Sequence, residues 1–430
     1  MSGGAFSTRN GIAYGLLGLP LAFVALPLYV ILPNYYSREF GVSLITLGFV
    51  LLGARLFDAF VDPLLGRMSD RLFSRSPQSV LAMGAGAAVL LAAGFALLFF
   101  PQVKSPNALV VWASVMLVVT YAGYSALSVA HQSWGAMLGG NEAERSRIVA
   151  WREGLGLVGV VLASVTPVAL GLPATTGIFF VALIIGWLAW SRAVRPVVKA
   201  HAVAAPGAIW LPFQQTNFKS LLGVFMLNGI ASAVPATLIL FFIQDLLQAP
   251  KSQEPLFLGS YFVAAALSIP LWLAVVKRLG LAKTWLCGML LSIAVFVWAT
   301  QLGAGQTGAF IAICALSGVA LGTDLALPGA MLAGVIQRNG DSGKLEGAYF
   351  GWWNFAIKLN LALAAGLALP LLSYFGYSPG ARDAQALSAL VIAYCVLPCL
   401  LKLLAAGSLY FLVIKQPEHF KAMHEQSDPI

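Results

Sequence analysis

Charge is what this chain has least of. Asp, Glu, Lys and Arg make up 10% of its 430 residues, against 60% hydrophobic. Soluble domains carry about 25% charged residues, so a soluble protein is excluded and a multi-pass membrane protein is expected. There are only four cysteines, Cys287, Cys314, Cys395 and Cys399. All lie in apolar runs without His at metal spacing and read as small core residues. No G-x-x-x-x-G-K-[ST] loop is present, which excludes nucleotide hydrolysis by that route. No nucleophile–base pair or metal constellation marks an enzyme, and no cofactor is expected. Of the four histidines, His131 alone falls in a predicted span. It could relay protons, but a lone His near a span end is more often simply hydrogen-bonded. His419 and His424, in the polar tail, lack the acid or Cys cluster that a metal site needs. The first apolar run has no A-x-A-like cleavage site and reads as a spanning helix.

What the chain does have is apolar runs. Twelve are long enough to cross a bilayer, at roughly 11–36, 43–66, 79–100, 108–131, 148–170, 173–193, 219–245, 256–276, 283–302, 308–335, 347–374 and 386–414. The fold class expected is therefore an all-α membrane protein. Eighteen of the 25 Lys and Arg lie at the termini or beside alternate loops, and only four lie in the opposite loops. This pattern places both termini in the cytoplasm and accounts for the net charge of +9 without invoking nucleic acid. The longest interior polar segment divides the runs six and six. The expected organisation is a first six-helix bundle over 1–193, a central cytoplasmic loop over 194–218, a second bundle over 219–414 and a tail over 415–430.

Arg55, Asp58 and Asp62 interrupt the second run. Their offsets of three, four and seven place them on one helical face. A charge at bilayer depth costs about 2.5–3.5 kcal/mol on insertion scales. Three on one face are therefore expected to line a polar cavity or meet each other, as an ion or proton site or as a structural Arg–Asp pair. One Arg cannot neutralise two carboxylates, which favours the functional reading. Lys358 lies about 11 residues, roughly 17 Å, into its helix and needs a partner near the midplane. Asp58 or Asp62 is the first choice and Asp324 the second. Asp324 could equally be a helix-break cap beside Gly322 and Pro328. Asp245, near the end of its run, reads as an interfacial residue.

The string GARLFDAFVDPLLGRMSDR, with GGNEAERSRIVAWRE and GDSGKLEGAYFGWWNFAIKLN, resembles the glycoside–pentoside–hexuronide cation symporters. These are a branch of the major facilitator superfamily that includes melibiose carriers and related lysolipid carriers. The resemblance implies the major facilitator fold of two six-helix bundles. It also implies a monomer in the plasma membrane (the bacterial inner membrane) and a small-molecule substrate. Asp58 and Asp62 would form the cation site with Arg55, and Ser125 would keep a hydroxyl ligand from the fourth helix. Lys358 would be the family's intramembrane lysine. Ser128, Gln132, Arg152, Trp352 and Trp353 are the substrate-binding candidates; the two tryptophans could equally pack against neighbours.

This chain departs from the pattern at several positions. Residues 11–37 carry no charge where sugar carriers place an acid. Ser128 and Gln132 stand where the family has a second acid and an indole, and Val61 replaces an amide in the cation site. A hard cation needs several oxygen ligands, whereas a proton needs one carboxylate. H⁺ is therefore favoured over Na⁺ as the coupling ion, with Na⁺ at Asp58 and Asp62 retained. The expected activity is cation-coupled symport of a sugar- or glycoside-like solute. The alternatives are a lysolipid or other amphipathic solute and, in a different class, uncoupled lipid scrambling.

Overall fold

The computed structural model describes residues 7–42, 44–196, 208–377 and 380–415. His419 and His424 lie outside them, as does part of the expected central loop. Among the described residues, ten helices are long and apolar enough to cross a membrane. They are α1 (Thr8–Leu26), α3 (Pro77–Phe99), α4 (Pro106–Met137), α5 (Glu142–Pro167), α6 (Ala169–Ser191), α7 (Thr216–Leu246), α8 (Leu256–Leu279), α9 (Leu281–Gln301), α10 (Thr307–Arg338) and α12 (Ala384–Ile414). Two further long helices, α2 (Leu44–Arg75) and α11 (Glu346–Tyr374), hold the intramembrane charges Arg55, Asp58, Asp62 and Lys358.

Local chemistry explains where the helices begin. Ser76, Ser105 and Asp383 accept backbone N–H bonds at the starts of α3, α4 and α12. Asn141 and Glu144 form a reciprocal capping box at the start of α5. Pro77 and Pro106 occupy first-turn positions, where a missing N–H costs nothing. Near the start of α6 the chain kinks at Gly171, whose φ of 79° favours glycine.

The chain divides into two compact units. The first comprises 1–212 and 333–355, and the second 213–332 and 356–430. The segment 333–355, which the sequence reading assigns to the second bundle, thus groups with the first unit. In that unit α1 packs on α5, and α4 on both α2 and α3. Its core includes the fully buried Phe23, Phe73, Phe95, Trp134 and Trp190. In the second unit α12 packs on α7 and α9. There Phe242 stacks on Tyr394 at 4.2 Å, and both lie against Phe310. Large apolar side chains such as Phe49, Val89 and Leu267 point outward while Asp58, Asp62 and Asp324-bonded Lys402 are buried. This is the arrangement expected when the surrounding solvent is hydrocarbon.

Asp245 lies in the last turn of α7. It is buried, and its carboxylate accepts from the Tyr377 hydroxyl and from Gly380 N, while Arg382 bonds its carbonyl. From the end of α7 it fastens the connection between α11 and α12.

Candidate functional site

On α2, Asp58 and Asp62 are buried, whereas Arg55, one turn earlier, is exposed. The three side chains therefore share a helical stripe but not one environment. Ser125, buried on α4, donates its hydroxyl to Asp58 Oδ1 at 2.6 Å. Ser128 and Gln132 follow Ser125 at offsets of three and seven on the same face of α4. Gln132 Nε2 donates to Ser128 Oγ at 3.0 Å. The unit thus presents a buried carboxylate–hydroxyl pair and, further along one helix face, a neutral amide–hydroxyl pair.

His131 points elsewhere. Its Nε2 donates to the Tyr14 carbonyl at 2.7 Å, and the Tyr14 hydroxyl donates back to the His131 carbonyl at 3.1 Å. This is the plain hydrogen-bonded reading, a clamp between α1 and α4. Arg152 on α5 forms a forked pair with Glu153 Oε1 through Nε at 2.9 Å and Nη2 at 2.6 Å. Trp352 donates its indole N–H to Ile209 O at 2.7 Å and packs on Trp210, while Trp353 is buried. Trp352 thus anchors the segment that precedes α7.

Asp324 is a correction. It lies within an unbroken helix, so it is no helix-break cap, and its partner is Lys402 rather than Lys358. Lys402 Nζ donates to Asp324 Oδ2 at 2.9 Å, and Trp285 donates to Oδ1 at 2.7 Å. Lys358 is half-buried on α11 in the second unit, whereas Asp58 and Asp62 belong to the first.

A second polar feature of the first unit carries no catalytic-looking motif. Asp70 lies on α2 beyond the expected end of the span. Its Oδ1 accepts from Gly347 N at 2.6 Å and its Oδ2 from Ala348 N at 2.8 Å. These are N–H groups that the first turn of α11 leaves without intrahelical partners. Close backbone approach makes this cap possible. A Cβ on Gly66 would overlap the Gly347 carbonyl, and one on Gly351 would lie 2.7 Å from Asp62 O. Burial, and then the charge of nearby Glu346, raises the Asp70 carboxyl well above its ordinary range. Burial likewise raises Glu346, the first residue of α11, to about 7. Arg145 joins this end of the unit to α10, donating to Gly140 O and Gln337 Oε1, each at 2.7 Å.

The sequence reading missed Lys402, Asn228, Glu153 and this glycine seam. The seam had a legible signal, the G-x-x-x-G spacing of Gly347 and Gly351. The Lys402 pairing had none, because its partners come from helices distant in sequence.

The fold is that of major facilitator transporters. A bacterial homologue of the iron transporter ferroportin, solved outward-facing, superposes with a TM-score of 0.73 at 16% identity, covering 94% of this chain and 100% of that one. The Escherichia coli fucose:proton symporter FucP gives 0.69 at 16% identity, with 93% and 98% covered. The family model described as MFS/sugar transport protein matches residues 11–416, and the chain belongs to that family. Among curated relatives, it is 27% identical to the isoprimeverose transporter of Lactiplantibacillus pentosus, with 89% of this chain and 84% of that one covered. It is 22% identical to the putative glycoside/cation symporter YagG of Escherichia coli K12, with 91% and 89% covered. It is 24% identical to a putative sulfoquinovose importer of Salmonella typhimurium LT2, with 98% and 92% covered.

Proposed function

We propose that this protein is a secondary active transporter of the bacterial inner membrane, with both termini cytoplasmic. In this reading it couples H⁺ entry to uptake of a sugar- or glycoside-like solute by alternating access. The observation that carries the reading is the buried Asp58 carboxylate bonded to Ser125, one helical turn from buried Asp62. A proton needs only one carboxylate as its acceptor, and this pair supplies two. Val61 offers no side-chain oxygen, which leaves Asp58, Asp62 and Ser125 as the side-chain oxygens for a Na⁺ shell that needs several more. The neutral Ser128–Gln132 pair suits solute hydroxyl groups, and the relatives named above for glycosides and sugars support that class. Arg152, Trp352 and Trp353 are kept as further substrate candidates, and Lys358 as a coupling charge.

Purified protein in liposomes provides the test. Uptake of a labelled disaccharide such as isoprimeverose should follow an imposed pH gradient, collapse with a protonophore and need no Na⁺. Strict Na⁺ dependence at constant pH would overturn H⁺ coupling. Uptake of lysolipid but of no glycoside would replace the substrate class, and lipid movement indifferent to Asp58→Asn would identify scrambling instead.

A further inference from the structure

The second unit contains a cavity of about 170 Å³ walled by α7, α8, α9, α10 and α12, remote in sequence from every candidate residue of α2 and α4. Most of its wall is apolar, including Phe262, Phe296 and Ile313. The Asp324–Lys402 ion pair lies on its lining. Lys402 Nζ has three hydrogens, and three acceptors surround it: Asn228 Oδ1 at 2.9 Å, Ser232 Oγ at 3.3 Å and Asp324 Oδ2 at 2.9 Å. The ammonium therefore has no donor left for an anion. Asp324 differs, because each of its oxygens takes one hydrogen bond and a carboxylate oxygen can accept two. Its spare capacity is for a donor. The pair is neutral as a whole, so a neutral donor fits better than a cation.

A separate observation points the same way. Ser317 also lines the cavity. The residue is 8% exposed, and its hydroxyl has no hydrogen-bond partner among the described residues. Buried hydroxyls are normally bonded. Ser317 and Asp324 are seven residues apart on α10, hence on one face and about 10 Å apart along the axis. A single ring with polar groups at opposite ends spans that separation once a hydrogen bond is added at each end. Size agrees, since a cavity of about 150 Å³ accommodates benzene.

We infer that this cavity is a binding site for a neutral, monocyclic compound carrying a hydroxyl group at each end of the ring. One hydroxyl donates to Asp324 and the other bonds Ser317, while the ring lies against Phe262, Phe296 and Ile313. The site is separate from the Asp58–Ser125 pair and does not depend on the transport reading.

Isothermal titration of the purified full-length protein with 4-hydroxybenzyl alcohol tests this. The expected result is saturable one-site binding. It should be weakened about three- to tenfold by Ser317→Ala and abolished by Ser292→Phe, which fills the cavity from α9. Thermal unfolding of each variant checks that it is folded. If Ser292→Phe is not, Ala236→Phe fills the cavity from α7 instead. Non-saturating heats, or equal heats in the wild type and a folded filled variant, would reveal partition into detergent and overturn the site. Affinity unchanged by Ser317→Ala would overturn the two-ended recognition.

Discussion

Asp70 and Gly347 are joined by a 2.6 Å hydrogen bond that links the end of α2 to the first turn of α11. The carboxylate caps a helix N-terminus, a favourable place for negative charge, yet it is buried close to Glu346 and its carboxyl is raised well above the usual range. A group whose pKa is higher folded than unfolded gives stability at low pH and loses it as pH rises through the folded value. For Glu346 that window runs from 4.5 to about 7. The unfolding temperature should therefore fall as pH rises across this range. Glu346→Gln should flatten the profile, both by removing its own titration and by lowering the Asp70 pKa. A thermal-unfolding series in detergent measures this. An unchanged slope in the variant would show that other groups control the profile.

The glycine seam permits no side chain. Gly66→Val places a Cβ on the Gly347 carbonyl and must separate the two helices. The expected loss is about 1–3 kcal/mol from overpacking, with the Asp70 cap broken as well. Gly53→Val on the same helix, where a Cβ meets nothing within 4 Å, is the control. Comparing the two unfolding temperatures isolates the seam from helix propensity.

Coupling should reside in Asp58. Asp58→Asn should abolish accumulation of solute against its gradient while leaving exchange of solute across the membrane measurable. Ser125→Ala, which removes one charge-assisted bond worth about 1.5–3 kcal/mol, should shift the pH at which uptake is half-maximal. Accumulation equal to wild type in Asp58→Asn would remove this residue from the mechanism.

The Lys402–Asp324 pair should behave as a buried ion pair, its side chains being 9% and 14% exposed. Lys402→Met alone leaves a carboxylate without its counter-ion and should cost about 3–5 kcal/mol. The joint Lys402→Met, Asp324→Asn change should cost less than the sum of the single changes, a coupling that a double-mutant cycle reads directly. Additive losses would mean that the two charges do not stabilise each other.

Much of this protein could be read from its amino-acid order, because the bilayer imposes local rules. A span must be apolar for about 20 residues and close its own backbone hydrogen bonds. Hydropathy alone therefore located the helices, and the cost of charge in hydrocarbon singled out α2. Resemblance to the symporter family likewise named Ser125 and Ser128 on α4 before any contact was known. Periodicity, however, says which residues share a helix face and not what that face meets. Only the tertiary structure decided that Asp58 takes Ser125 while Arg55 stays exposed, that Asp324 takes Lys402 rather than Lys358, and that Asp70 caps α11. It also placed 333–355 with the first unit. Each of these is a choice between chemically equivalent partners many residues apart. Such choices are made by the close approach of particular helices, as at Gly66 and Gly347, and not by any local preference of the chain.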